Sequence, residues 1–317
     1  MSEIISQEQQ VPLSMRGQRL DQVAASLFPD FSRSRLQAWI KTGELTVGGS
    51  LVRPREKLFG GETLRLQARL SREGDWEAEA IDLEIVHEDE DLLVVNKPAG
   101  LVVHPAAGNY SGTLVNALLH YAPSQETLPR AGIVHRLDKD TTGLMVVAKT
   151  LLAHTRLVEQ LQARSVSRIY EAVAQGALSG AGSVEAAIGR HPKNRKQMAV
   201  VPHGGKPALT HYEVLHRFPS HTHLRLQLET GRTHQIRVHM AHIHYSLVGD
   251  PVYGRRGRWP SGASATLLEI LKAFPRQALH AAQLGLQHPR TGQTLQWRAP
   301  LPADMQTLLE ALHQHYD

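Results

Sequence analysis

The chain has 317 residues, enough for one large hydrophobic core or two unequal ones. Its apolar content of 41% is ordinary for a globular protein, no apolar run approaches the ~20 residues that cross a bilayer, and the opening Met1-Ser2-Glu3-Ile4 leads into polar residues rather than a signal sequence. The lack of cysteine excludes disulfides, zinc–thiolate sites, iron–sulfur clusters and cysteine nucleophiles and fits a reducing cytosol, while a formal charge of +5 and a pI near 9.5 point to a polyanionic partner.

Residues 1–15 carry no periodicity and are expected to form a mobile tail. A compact unit is expected over residues 16–70. Leu20, Val23, Ala24 and Leu27 recur at helical spacing, and Pro29 ends that helix. Ser32 suits the cap of a second helix from Arg33 to Lys41, with Gly43 as its stop. Strands are predicted at Leu45–Val47 and Thr63–Leu66, with Gly48-Gly49 as a hairpin turn. Between Arg16 and Lys57 eight basic residues face four acids, a balance of +4 on a small unit. Arg33 and Arg35 open a helix whose free N–H groups already favour phosphate. The order of elements resembles the S4 RNA-binding module, although a solvated, basic helical hairpin has the same pattern. Residues 71–84 hold six acids against the single base Arg72 and are expected to be a linker leaving its neighbours free to reorient.

From residue 85 to 317 strand-like runs outnumber helical ones. Strands are predicted at 85–87, 92–96, 144–149, 170–173, 212–215 and 224–228, and helices at 113–121, 151–163, 265–274 and 304–315. Because they do not alternate, the fold class is α+β with a large mixed, mainly antiparallel sheet. No P-loop or GxGxxG motif occurs, so no nucleotide cofactor is indicated.

The most informative stretch is His135-Arg136-Leu137-Asp138-Lys139-Asp140-Thr141-Thr142-Gly143, charged residues held between two apolar segments. Such a stretch emerges at the mouth of a sheet, where a carboxylate can be partly dried and aimed. It also suits an ordinary surface turn in which Asp138 pairs with Arg136. Three further segments stand out: Glu90 to Gly100, with Asn96-Lys97-Pro98; Arg168-Ile169-Tyr170-Glu171-Ala172; and Leu228 to Met240, with Gly231-Arg232-Thr233-His234-Gln235-Ile236-Arg237, continuing to Gly249-Asp250-Pro251-Val252-Tyr253-Gly254. A closing Arg276-Gln277-Ala278-Leu279-His280-Ala281 completes the set. In order and spacing these segments resemble the RluA-type pseudouridine synthases, over roughly residues 16 to 315 with the S4-like unit included. Arg168 stands where many members have Lys, and His244-Tyr245-Ser246 replaces a Gly-His-Pro-like turn.

The resemblance implies conversion of uridine to pseudouridine, in which the N-glycosidic bond breaks and C5 joins the ribose C1′. Nothing is oxidised or transferred, so neither cofactor nor metal is expected. By motif position Asp138 is the carboxylate that acts at the ribose, Arg237 its cationic partner and Tyr170 the aromatic face for the freed uracil, with a phenol able to assist loss of the C5 proton. Arg136 is expected to fill the space vacated by the flipped base, and His135, Arg232, Arg33 and Arg35 to meet the RNA. The implied substrate is a stem-loop of large-subunit (23S) ribosomal RNA, helix 69, free or in an assembling subunit, handled by a cytoplasmic monomer with no membrane partner.

Read without the resemblance, the same residues leave alternatives open. Asp138 and Asp140 form a DxD pair of the kind that binds magnesium, Tyr170 suits sheet packing, and Arg237, read as part of an alternating strand, suits a solvent face. His234, His239, His242 and His244 match no recognised metal spacing. Two basic patches, Arg190 with Lys193, Arg195, Lys196 and Lys206, and Arg255, Arg256 and Arg258 beside Trp259, fit either RNA contact or a solvated face. The same synthase acting on another rRNA site or on tRNA, a non-catalytic RNA-binding assembly factor and a metal hydrolase are the competing readings.

Overall fold

The computed structural model describes residues 4–31, 33–69, 76–105, 109–194, 197–254 and 259–316. The N-terminal unit is β1 (Ile4–Gln10), α1 (Leu20–Leu27), α2 (Arg33–Thr42), β2 (Leu45–Val47) and β3 (Thr63–Arg69). Its sheet has the order β1-β3-β2, antiparallel throughout. Leu20, Val23 and Ala24 from α1 and Leu36 and Ile40 from α2 close over Leu45, Leu64 and Leu66. The helical spacing thus becomes one face of each helix against one face of the sheet.

Two expectations need correcting here. The tail expected over residues 1–15 contains β1, whose Ile4 to Gln10 pair in register with Arg69 to Thr63. Its sequence is too polar to signal a strand, and β3 supplies the backbone partners that define it. The linker is not a free tether either. Trp76, Ile81 and Leu83 pack on the main core. Asn116 Nδ2 donates to the Glu77 carbonyl at 2.7 Å, and the Glu79 carboxylate accepts the Gly112 N–H at 2.9 Å. Apolar side chains spaced among the acids anchor this half of the segment; residues 71–75 lie outside the described residues, as does the expected Ser32 cap.

The rest is built on β4 (Ile85–Glu88), β5 (Leu92–Lys97), α3 (Leu114–Tyr121), β6 (Thr142–Ala148), α4 (Leu151–Gln162), β7 (Ser167–Gln175), β8 (Gly182–Glu185), β9 (Ile188–Arg190), β10 (Met198–Val200), β11 (Leu209–Arg217), β12 (His221–Leu228), α5 (Gln235–His242), α6 (Ala265–Ala273), β13 (Leu279–Gln287), β14 (Thr294–Arg298) and α7 (Ala303–Tyr316). Nine strands form one mixed sheet in the order β4-β5-β6-β13-β7-β12-β11-β8, with β14 also on β13. Among the described residues only β6 and β13 pair in parallel in this sheet. β5 and β6 are apolar without alternation because both their faces are covered. On one face Val95, Val147, Tyr170, Ala172 and Leu226 meet Leu114 and Leu118 of α3 and Ile236 and Met240 of α5. On the other, Val94, Val146 and Leu284 meet Ala153 and Leu157 of α4, and Val173 meets α6 and α7. α4 also touches the N-terminal unit: Leu151 packs on its core, and the Thr155 hydroxyl donates to the Asp30 carbonyl at 3.4 Å.

Candidate active site

Three pieces of backbone converge on Asp138. The first is its own loop, between Leu137 and the start of β6. This loop is braced from all sides. Lys97 Nζ donates to the carbonyls of Pro98, Leu101 and Lys139 at 2.8, 3.0 and 2.8 Å. Arg276 Nη1 donates to the Asp140 carbonyl at 3.1 Å, Gln277 Nε2 to the Thr141 hydroxyl at 3.0 Å, and the Thr142 hydroxyl lies 2.8 Å from His280 Nδ1. Gly143 then lets β6 approach β13 closely. With φ of 112°, an added Cβ would sit 2.3 Å from the Ala281 carbonyl oxygen. The closing motif that includes Arg276, Gln277 and His280 is therefore the brace of the Asp138 loop. Burial pushes the Lys97 ammonium down to about 7, so three carbonyls hold a cation that titrates close to neutrality.

The second piece is α5, where an alternating strand was expected for Arg237. Ile236, Val238 and Met240 do alternate, yet the segment turns helical at His234 and buries Arg237. Gln235 fixes the turn. Its Oε1 accepts from the Thr230 hydroxyl at 2.8 Å and the Arg232 N–H at 3.0 Å, and its Nε2 donates to the Leu209 carbonyl at 3.0 Å.

The third piece is the turn after Gly249. This glycine has φ of 70°, and a Cβ there would lie 2.1 Å from the Arg276 carbonyl oxygen. The close approach sets Asp250, whose side chain is fully buried, behind Arg237. Asp250 accepts from Arg237 Nε at 2.8 Å and Nη2 at 2.9 Å, and from the backbone N–H groups of Val252 and Tyr253 at 2.9 Å each. The remaining Arg237 nitrogen, Nη1, reaches Asp138 Oδ2 at 2.8 Å. Arg237 is thus a fork gripped from behind by one carboxylate and presenting one N–H to another. Burial opposes its charge, but the bonds to Asp250 and then Asp138 outweigh it and hold the guanidinium above its ordinary range. Burial likewise opposes the Asp250 charge, and Arg237 overcomes it and keeps the carboxyl below its ordinary range.

Asp138 retains 18% side-chain exposure, enough to meet a substrate. The surface-turn alternative fails because its partner is Arg237 across the fold, not Arg136. Tyr170 lies in β7 on the core face that carries α5, buried, and burial pushes its phenol up. Its neighbour two residues back, Arg168, is also buried; Gly231 makes room for it, since a Cβ there would meet Arg168 Nη1 at 2.7 Å. Arg136 is exposed close to His234.

The other expected contacts are placed differently. His135 is turned inward, with Nε2 accepting the Val146 N–H at 3.1 Å, and burial pushes it down to about 3, so it supports β6 rather than facing substrate. Arg232 is half-buried, with Nε donating to the Pro207 carbonyl at 3.1 Å. Arg33 is paired with the buried Asp21 at 2.7 Å, alongside Arg19 and Gln37, and Arg35 lies 5.8 Å from the Trp39 ring centroid. Arg16, Lys41, Arg53, Arg55 and Lys57 are exposed, as are Arg33 and Arg65, which are paired to Asp21 and Glu8. Arg195, Lys196, Arg255, Arg256 and Arg258 lie outside the described residues. His239 bonds the Thr210 hydroxyl and the Ala186 carbonyl at 2.9 and 3.0 Å. Lys97, Asp250, Tyr253, Gln277 and His280 join the site without having been singled out, and His234, weighed only as a metal ligand, joins it too; each lies inside a quoted segment, but its partner is distant in sequence.

The profile of the RNA pseudouridylate synthase family matches residues 91–242. Ribosomal large subunit pseudouridine synthase D of Pseudomonas aeruginosa is 60% identical over 314 residues, covering 99% of this chain and 98% of that protein. The protein of the same name from Escherichia coli (strain K12) is 56% identical over 302 residues, covering 95% and 92%. Among solved structures, human RNA pseudouridylate synthase domain containing 4 superposes with a TM-score of 0.57 at 28% identity, covering 73% of this chain and 93% of that one. Human RNA pseudouridylate synthase domain containing 1 gives 0.55 at 26% identity, covering 76% and 98%.

Proposed function

The chain belongs to the RNA pseudouridylate synthase family, and from that premise we propose that it isomerises specific uridines of large-subunit ribosomal RNA, in the helix 69 stem-loop, with Asp138 as the reacting carboxylate. The observation that carries the residue assignment is the chain Asp250–Arg237–Asp138. A half-dried carboxylate with one oxygen on a fixed guanidinium is held in place and keeps its other oxygen available to a ribose. Asp138 then either attacks C1′ or removes a ribose proton as the N1–C1′ bond breaks. The freed uracil turns against Tyr170 and rejoins C1′ through C5, and the C5 proton leaves last. Arg136, exposed beside the site, takes the space of the flipped base.

The N-terminal unit is read as an S4-like RNA anchor over residues 16–70, joined by the acidic segment 71–84 to the catalytic domain from 85 onward. Its exposed Arg16, Lys41, Arg53, Arg55 and Lys57 support that role, with Arg33 held back by Asp21. Among the described residues no helix is long and apolar enough to cross a membrane. A monomer acting in the cytoplasm without a bound cofactor completes the reading. Mapping pseudouridines in the rRNA of cells with and without this protein tests it. The modifications of the helix 69 loop should vanish without the protein; their persistence would overturn the site assignment.

Tyr170 gives a second test. Its hydroxyl bonds no described side chain, so Tyr170→Phe should leave stability unchanged. A phenol pushed up by burial enters the reaction neutral and acts as a relay for the C5 proton. The variant should bind RNA normally, cleave the glycosidic bond and stall with the rearranged base still protonated at C5. Wild-type turnover would leave Tyr170 a stacking surface only.

A further inference from the structure

His234 is built into the site with unusual care for a residue without an assigned role. It precedes α5 with φ of 57°, in the left-handed region that glycine or asparagine enters more readily, and its side chain makes no cap bond to the helix. Helix capping therefore does not explain it. Its Nδ1 lies 2.8 Å from the Tyr253 phenol oxygen, which also accepts the Met198 N–H at 2.9 Å. Among the described residues the Tyr253 hydrogen has no other acceptor, so the phenol donates to Nδ1 and the ring hydrogen sits on Nε2. Edge-on packing against Tyr253, with centroids 5.6 Å apart, fixes the ring plane.

That Nε2–H faces the free oxygen of Asp138. Nε2 and Oδ1 are 3.8 Å apart, beyond a hydrogen bond, while Oδ2 is occupied by Arg237. One oxygen atom placed about 2.8 Å from each would span the gap. It must accept from Nε2–H and donate to the carboxylate. A hydroxyl does both, whereas a carbonyl or phosphate oxygen cannot donate. We infer that His234 and Asp138 together hold the 2′-hydroxyl of the target nucleotide, so that His234 is a further substrate-binding residue and the point at which ribose is told from deoxyribose. The inference rests on the proposed placing of Asp138 at the ribose, and it deepens that reading, because the same contact sets the carboxylate beside C1′ and C2′.

The test uses a stem-loop RNA carrying a uridine that the wild-type protein converts, and the same RNA with 2′-deoxyuridine at that position. Loss of two hydrogen bonds should weaken wild-type binding about thirtyfold. His234→Asn keeps an acceptor for Tyr253 and suits the left-handed backbone but lacks the Nε2 donor. It should bind the uridine RNA about tenfold more weakly and distinguish the two RNAs only about threefold, since Asp138 alone then reads the hydroxyl. His234→Gln puts an amide N–H where Nε2 lies and should restore most of the discrimination. Tyr253→Phe, which leaves His234 in place but frees its tautomer, should lose part of it. Full discrimination by His234→Asn, or equal weakening of both RNAs in every variant, would overturn the inference. A target uridine that maps elsewhere than helix 69 would instead count only against the proposed substrate.

Discussion

Asp138→Asn is expected to lower turnover by roughly a thousandfold or more, while leaving the fold near wild type and weakening RNA binding only about threefold, the share of the 2′-hydroxyl contact that Asp138 makes. The amide is nearly the shape of the carboxylate and still offers Arg237 an oxygen. Arg237 remains held by Asp250 through two bonds at 2.8 and 2.9 Å, so removing the Asp138 charge strands no buried cation. What disappears is the negative charge and nucleophilicity that either ribose chemistry requires. Single-turnover assays with saturating enzyme, beside thermal unfolding of the same sample, separate the two effects. Substantial pseudouridine formation by a folded Asp138→Asn protein would remove Asp138 from the mechanism.

Much of this site was legible in the residues because charged motifs sit between apolar runs. The helical spacing of Leu20, Val23 and Ala24 and the unbroken apolar run of β6 both reappear as buried faces. Asp138, Tyr170 and Arg237 were singled out by motif position, and the fold brings Asp138 and Arg237 within a hydrogen bond of each other. The failures have physical causes. α5 was missed because Ile236, Val238 and Met240 alternate and because its first turn is set by Gln235 bonding to Thr230 and Leu209, not by a capping side chain. β1 was missed because its hydrogen bonds come from β3, far along the chain. His135 was expected among the RNA contacts, but its ring is turned inward and accepts the Val146 N–H of β6. Asp250 carries no local signal of its role; only the tight turn at Gly249 puts it behind Arg237.

That arrangement makes Arg237 a structural as well as a chemical residue, and its two roles separate. Arg237→Lys keeps a charge but cannot grip Asp250 with two nitrogens while offering a third to Asp138, so turnover should fall roughly a hundredfold through misplacement alone. Arg237→Ala leaves Asp250 buried without its partner and should cost about 3–5 kcal/mol of stability at neutral pH, measured by denaturant unfolding. Adding Asp250→Asn to Arg237→Ala removes the stranded charge, so stability should largely return while activity does not. The pH dependence follows from the same pair. In the wild type the Asp250 carboxyl is held low, so its contribution is present above the unfolded carboxylate value of about 4 and is lost as pH falls through the lower folded value. In Arg237→Ala burial still opposes the Asp250 charge and only the Val252 and Tyr253 N–H groups are left to favour it, so the penalty is greatest at neutral pH and is relieved as the carboxyl takes up a proton. The stability gap between the two proteins should therefore narrow steadily on acidification. A gap that stays constant from pH 7 to pH 4 would mean that Arg237 does not stabilise the fold through Asp250.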